Sequence, residues 1–228
     1  LLEKSSATKK KENYMLETGG TAPDAMFIEA MQGQSSYAAM VLCPLLKDVL
    51  SDAGCFIDVG GGSGTFCIEA CKAFPHMRGA VYELPGVCPI TESYISKAGL
   101  NDRVGAVPGN MFEDEKFPLA DVYAFGNVLH DWSDDDNKSL LKKAFKSLPD
   151  DGQGARGKVV LLEMLVAEDV SSTTPATAGL NLVMVTNEDG RQYKASELEV
   201  LLKDVGFVNM QVVSSPLTPY SVVVAHKK

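Results

Sequence analysis

Apolar and polar positions along this chain fall into blocks whose period switches between two and about 3.6 residues. CFIDVG (55–60) is a short, almost unbroken apolar run, as a strand buried on both faces requires. After a glycine-rich loop, TFCIEACKAF (65–74) repeats its apolar residues at helical spacing. RGAVYEL (78–84) predicts a second strand, VCPITESYISKAG (87–99) a helix, RVGAVPG (103–109) a third strand and ADVYAFGNVL (120–129) a fourth. In SDDDNKSLLKKAFKSL (133–148), Leu140, Leu141, Ala144, Phe145 and Leu148 recur three and four residues apart, predicting a helix capped by Ser133. KVVLLEMLV (158–166) predicts a fifth buried strand and GLNLVMV (179–185) a helix. SELEVLLKDVG (196–206) predicts another helix, between an N-cap at Ser196 and a stop at Gly206. FVNMQVVS (207–214) and YSVVVAHK (220–227), joined by SPLTP, suit an antiparallel pair.

Strand–helix alternation through five strands, closed by a strand pair, predicts an α/β fold with a doubly wound, mostly parallel sheet over residues 51–228. Residues 1–50 stand outside that rhythm. Within them DAMFIEAMQGQSSYAAMVLCPLLKDVL (24–50) is helical in pattern and rich in Met and Ala. It is expected to be a helical connector packed over the edge or mouth of the sheet.

Charge and composition narrow the partners. A net charge of -9 over 228 residues argues against a nucleic-acid surface, which needs clustered Lys and Arg. The basic run Lys9–Lys11 reads as a solvated tail. No apolar run approaches the roughly 18 residues of a membrane span. The five cysteines form no C-x-x-C pair or Cys/His ligand pattern, and Cys67 and Cys71 read as small hydrophobes one helical turn apart. Their odd number, with no signal peptide, predicts a reducing, cytoplasmic setting. A start at Leu1 without an initiator Met is expected of a fragment or a processed form.

Candidate chemistry gathers at the strand ends. In IDVGGGSGTF (57–66), Gly60 and Gly62 fit a dinucleotide fingerprint, but its last position is Thr65 and the third glycine comes early at Gly64. Asp58 would repel a pyrophosphate and can engage an ammonium, so the loop suits S-adenosylmethionine better. Glu83, ending the second strand, can accept both hydroxyls of a ribose. Asn110 and Met111 follow the third strand, where an amide and a thioether could meet an adenine; a polar turn with core Met and Phe112 accounts for them equally well.

The stretch FGNVLHDWSDDD (125–136) ends the fourth strand. His130 there is expected to face the crevice between the first and fourth strands, where strand order reverses. Glu163, amid the apolar fifth strand, is either its buried partner or a strand-end residue turned to solvent. As a partner it would accept from Nδ1–H and leave Nε2 free to take a proton. Asp134, Asp135 and Asp136 behind Ser133 read as an acidic first helical turn. A Mg²⁺ site would need an Asp-Asn pair where the fifth strand has Glu163 and Met164, so no metal is expected.

IDVGGGSG, YELPGV, PGNMF, NVLHDWSDDD and VVLLEMLV, in this order and spacing, resemble the plant-type and hydroxyindole-type S-adenosylmethionine-dependent O-methyltransferases, which include the caffeate, flavonoid and acetylserotonin enzymes. The resemblance runs from about Phe27 to the C-terminus. It implies a Rossmann-like class I methyltransferase sheet, S-adenosyl-L-methionine as cofactor, and methyl transfer to a small phenolic or hydroxyindole-like acceptor. His130 matches the base and Glu163 the carboxylate beside it. Gly60, Gly62, Glu83, Leu84 and Met111 match cofactor contacts, with Asp58 and Asn110 beside them. Phe27, Met31, Val183 and Asn187 fall where the family lines its acceptor pocket, and Asp131 adjoins the base. The resemblance also implies a homodimer formed through an N-terminal helical domain, of which residues 1–50 would be a remnant that could leave this chain monomeric. Three positions depart from the family pattern: Gln192 replaces a second carboxylate flanking the histidine, Asn110 replaces an Asp, and Gly126 stands where plant members often carry Lys. Gln192 and the short N-terminus motivate a rival reading, a cofactor-binding regulatory or interaction protein with little transferase activity. A nucleotide-dependent oxidoreductase is disfavoured by Thr65 and the glycine spacing.

Overall fold

The computed structural model describes residues 25–150, 157–186 and 190–228. The basic run Lys9–Lys11 and Asn187 lie outside the described residues.

Seven strands form one sheet: β1 (Cys55–Val59), β2 (Arg78–Glu83), β3 (Val104–Pro108), β4 (Val122–Gly126), β5 (Lys158–Glu163), β6 (Phe207–Ser214) and β7 (Ser221–Lys227), in the order β3-β2-β1-β4-β5-β7-β6. The first five are parallel, and β7 runs antiparallel between β5 and β6. The expected terminal pair is therefore present, with β6 at the edge and β7 inside. Among the described residues, the helices of eight or more residues are α1 (Ala25–Leu42), α2 (Thr65–Ala73), α3 (Cys88–Lys97), α4 (Asp134–Ser147), α5 (Pro175–Val185) and α6 (Ala195–Val205).

Because strand side chains alternate faces, neighbouring residues of one strand serve two cores. Val160 and Leu162 of β5 join Val222 and Val224 of β7 under α1 and α2, with Leu42, Phe66 and Cys71. Val159 and Leu161 join Val223 and Ala225 on the other face, with Leu140 and Leu141 of α4 and Leu198 and Leu202 of α6. All six residues of β5 are buried, which is why its sequence reads as a continuous apolar run. Each large aliphatic side chain so buried contributes about 1.5–3 kcal/mol.

The structure revises some element bounds. No helix intervenes between β3 and β4; a loop makes that crossover. The fourth strand stops at Gly126 instead of running to Leu129, because Asn127 takes a left-handed φ of 55° and Leu129–Asp131 then form a 3-10 turn. Helix α5 begins at Pro175, where the Thr174 hydroxyl accepts from Thr177 N–H at 3.2 Å and proline supplies the first turn. The N-cap of α6 is Lys194, not Ser196: the Lys194 N–H donates to Glu197, while Ser196 lies inside the helix and donates to Glu168. Ser133 caps α4 as expected, accepting from Asp136 N–H at 3.2 Å, with the three aspartates in the first turn.

With β1 flanked by β2 and β4, the chain leaves β1 to one side and later returns on the other. The loops diverge at the carboxyl end of β1, opening a crevice there.

Candidate functional site

The loop after β1 is built by conformation. Gly60, Gly62 and Gly64 have φ of 69°, 55° and 76°, a region costly to residues with a Cβ. Gly61 is needed for space: a Cβ there would lie 2.6 Å from the Asp58 carboxylate. Gly60 N–H donates to Tyr82 O at 2.9 Å, and the Thr91 hydroxyl donates to Gly62 O at 2.6 Å, so the loop is tied to β2 and α3.

Two buried carboxylates face this loop. Glu83 accepts from Gly62 N–H at 3.1 Å and from Leu84 N–H at 2.7 Å. Burial holds its pKa above the usual carboxylate range, against those two N–H groups. Asp58 is 1% exposed; one oxygen accepts from Cys67 N–H at 3.2 Å and the other, Oδ1, has no hydrogen-bond partner. Burial, opposed by that N–H and reinforced by the charge of Glu83, pushes the Asp58 carboxyl up to about 7.

On the opposite side, residues 109–114 are clamped from three directions. Asp114 accepts from the Tyr82 hydroxyl and, at 3.1 Å, from Asn110 N–H. Lys143 of α4 donates to Met111 O at 2.6 Å, with its ammonium 5.3 Å from the centre of the Phe117 ring. Phe112 packs edge-on against Trp132, ring centres 4.6 Å apart.

One crevice brings together Asp58, Gly60, Gly62, Glu83, Leu84, Asn110, Met111 and Asp131, with Gly126 at the end of β4. The sequence placed α1 over the edge or mouth of the sheet, but did not single out the three α1 residues that line the crevice. Ile28, Gln32 and Ser35 line the same crevice, and Asn127 Nδ2 donates to Ser35 Oγ at 2.9 Å. Their spacing of four and three residues along one helical face is the signal that was available.

His130 and Glu163 meet behind the crevice. Nδ1 of His130 stands 2.5 Å from Glu163 Oε2, and the residues are 3% and 1% exposed. Asp131, whose Oδ1 is 3.8 Å from His130 Nε2, lines the crevice, while His130 sits buried one residue behind it. The turn carrying the imidazole is held by Asn137 Nδ2, which donates to Leu129 O at 2.7 Å and Trp132 O at 3.2 Å, and by Arg191 N–H, which donates to His130 O at 2.9 Å.

The remaining predicted residues are spread over α1 and α5. Phe27 and Met31 belong to α1, but their side chains lie outside the described residues, as does Asn187. Val183, on α5, is 52% exposed. Gln192 is 3% exposed, with neither end of its amide hydrogen-bonded.

The family profile described as the O-methyltransferase domain matches residues 13–208. The chain belongs to that family. Among relatives of this O-methyltransferase-family chain, 3-hydroxy-5-methyl-1-naphthoate 3-O-methyltransferase of Streptomyces sahachiroi is 29% identical over 195 residues, 85% of this chain and 54% of the relative. The 3'-hydroxy-N-methyl-(S)-coclaurine 4'-O-methyltransferase 1 of Papaver somniferum is 31% identical over 80% of this chain and 48% of its own length. L-tyrosine C(3)-methyltransferase of Streptomyces lavendulae is 31% identical over 88% of this chain and 54% of its own. The chain thus spans about half the length of the curated relatives it matches. In fold it is similar to human N-acetylserotonin methyltransferase in complex with SAM, with a TM-score of 0.80 at 23% identity, covering 94% of this chain and 58% of that one.

Proposed function

We propose that this O-methyltransferase-family chain is the catalytic part of an S-adenosylmethionine-dependent enzyme that methylates a hydroxyl of a small aromatic acceptor, with His130 as general base. The observation that carries the reading is the buried 2.5 Å contact of His130 with Glu163 beside the glycine-lined crevice.

The crevice fits the cofactor. Asp58 Oδ1 is a buried, unpartnered anionic acceptor suited to an ammonium, and Glu83 stands at the strand end suited to ribose hydroxyls. Asn110 and Met111 supply the adenine side. When bound, S-adenosylmethionine supplies the electrophilic methyl group.

Glu163 is placed to accept from Nδ1–H, which makes Nε2 the nitrogen that receives the acceptor's proton. A phenol of pKa about 10 and an imidazole near 6.5 are mismatched for complete transfer in advance. Partial proton movement to Nε2 as the oxygen attacks is sufficient once binding aligns the reactants. Glu163 then faces the forming imidazolium and stabilises it in a low-dielectric site. The fifth-strand carboxylate is committed to His130, so the transfer is assigned to acid–base chemistry without a metal.

The full protein is proposed to be a cytoplasmic homodimer, consistent with five free cysteines and no helix, among the described residues, long and apolar enough to cross a membrane. Tyr37 and Met40 on α1, and Leu182 and Val185 on α5, are half exposed or more, an apolar surface for further chain or a second subunit to cover.

Transfer of a labelled methyl group to a panel of phenols and hydroxyindoles, with the product structure read by NMR to separate O- from C-methylation, tests the activity. His130→Ala is expected to abolish transfer and keep cofactor binding; turnover surviving in that variant would remove His130 from the role of base. Gln192, neutral where the family pattern has a carboxylate, favours a second reading, a cofactor-binding protein without transferase activity. Calorimetric cofactor binding with no transfer by the full-length protein selects that reading.

A further inference from the structure

We infer that Tyr193 and Asn137 are positioning residues for the proposed base: with Asp134 they form a hydrogen-bonded chain that fixes the turn carrying His130 and so aims its imidazole, an inference that rests on His130 acting as base.

Both residues are buried, and neither is among those lining the crevice. Acceptor chemistry sets the direction of each bond in the chain. Leu129 O and Trp132 O can only accept, so the Asn137 amide turns its NH2 end to them, at 2.7 and 3.2 Å. The Tyr193 hydroxyl oxygen lies 2.8 Å from the same Nδ2 and therefore accepts as well. Its own proton then goes to Asp134 Oδ1, 2.8 Å away. Burial, reinforced by Asp134, holds this hydroxyl well above the usual tyrosine range, so it remains a donor in alkaline solution. Asp134, at the start of α4, is anchored in turn: the Arg191 guanidinium approaches both its oxygens at 3.3 Å and lies 4.3 Å from the centre of the Tyr193 ring.

The inner end of the chain is the turn itself. Leu129–Asp131 form the 3-10 turn and Trp132 closes it, so the two carbonyls that Asn137 holds bracket His130. His130 O accepts from Arg191 N–H at 2.9 Å, and a Cβ at Gly190 would lie 2.5 Å from that oxygen. Residues 190–193 thus hold the turn twice, directly through Arg191 N–H and indirectly through Tyr193 and Asn137. The imidazole is fixed at Nδ1, 2.5 Å from Glu163, and Asp131 Oδ1 stands 3.8 Å from Nε2. A ring held at Nδ1 and carried on a fixed backbone has one direction left for Nε2. Misplacement of a reacting group by about 1 Å costs about 100-fold in rate, so loosening one bond of the chain is expected to slow proton removal without emptying the cofactor crevice.

The test is the single-turnover rate of methyl transfer by the full-length protein at pH 7 and pH 9.5, as wild type, His130→Ala, Tyr193→Phe, Asp134→Asn and Asp135→Asn. The acceptor is the fastest member of the hydroxyarene panel above, beginning with phenol, 2-naphthol and 5-hydroxyindole. An acceptor already ionised needs no base, so a badly aimed His130 matters less as pH nears the acceptor's pKa of about 10. Tyr193→Phe keeps the ring and deletes the hydroxyl. It is expected to slow transfer about tenfold relative to wild type at pH 7 and only about twofold at pH 9.5, with S-adenosylhomocysteine affinity within about twofold. Asp134→Asn is expected to act in the same sense by about threefold. Asp135→Asn, the same charge change at the neighbouring exposed residue, is expected to leave both rates unchanged. His130→Ala is expected to show the same pH trend with a larger loss.

Losses of equal size at both pH values, a matching loss of cofactor affinity, or no loss at pH 7 in Tyr193→Phe overturn the inference and leave the base reading intact if His130→Ala keeps its pH-dependent loss. Where Tyr193→Phe fails to bind S-adenosylhomocysteine, the comparison of Asp134→Asn with Asp135→Asn decides by the same criteria. Wild-type transfer by His130→Ala at pH 7, or cofactor binding without methylation of any panel member, overturns both readings.

Discussion

Nδ1 of His130 lies 2.5 Å from Oε2 of Glu163, 33 positions away: Glu163 ends β5, and His130 sits in the 3-10 turn that follows the adjacent parallel strand β4. Burial makes the pair mutually dependent: removal of the carboxylate leaves an imidazole N–H without its acceptor in a site that water does not reach. Glu163→Gln keeps the shape and removes the charge. It is expected to lower kcat by about 100-fold, with KM and cofactor affinity little changed. Steady-state kinetics beside calorimetry checks this, and equal losses in kcat and cofactor affinity would assign Glu163 a structural role only.

Asp58 is expected to make cofactor binding pH-dependent. Its carboxyl is pushed up to about 7 mainly by burial, and an ammonium placed beside it would favour the ionised form. Binding is therefore expected to release a proton near pH 6 and to strengthen as pH rises towards 7.5, then level off. Calorimetry in buffers of different ionisation enthalpy counts the proton.

The same group affects the stability of the unliganded protein. A carboxyl raised from 3.8 to about 7 contributes stability that is fully present below pH 3.8 and is lost as pH rises through about 7. Asp58→Asn removes the buried charge, so it is expected to stabilise the unliganded protein by ~3 kcal/mol at pH 8 while weakening cofactor affinity. Denaturant unfolding at pH 5 and pH 8 decides the matter: a gain confined to pH 5 would contradict it.

Lys143 fixes, through Met111 O, the side of the crevice proposed to hold adenine. Lys143→Met is expected to weaken cofactor binding about tenfold with kcat nearly unchanged at saturation, and Lys143→Arg to restore much of the loss. Equal weakening in both variants would show that the carbonyl contact does not position the loop.

Gly109 has no room for a side chain, because a Cβ would lie 2.3 Å from the Tyr82 ring. That ring is itself held by Asp114 and packs on Phe117. Gly109→Ala is expected to cost about 2 kcal/mol in thermal or denaturant unfolding and to reduce cofactor affinity, since the displaced ring carries the loop with it.

Much of the fold was legible because period is a local property. The unbroken apolar runs of β1 and β5, the three- and four-residue spacing of Leu140, Leu141 and Ala144, and the Ser133 cap all report their elements from short windows of sequence. Boundaries were less legible where one residue's conformation overrules its neighbours. Asn127 ends β4 by turning left-handed inside an otherwise strand-like run, and Lys194 displaces Ser196 as cap because Glu197 reaches back to its N–H.

The sequence by itself determined the glycine loop, the acidic residues at the strand ends, the order of the strands along the chain and the identity of His130 as the residue to explain, since each depends on residue type and local spacing. Only the tertiary structure decided that Glu163 turns to His130 and not to solvent, that α1 lends Ser35 to Asn127, that Lys143 holds Met111, and that Gln192 is buried with both ends unpaired. Those facts join residues from 32 to 92 positions apart, or set burial against bonding at one side chain. Hydrogen-bond partners and desolvation are properties of the packed sheet and helices, which no local pattern encodes.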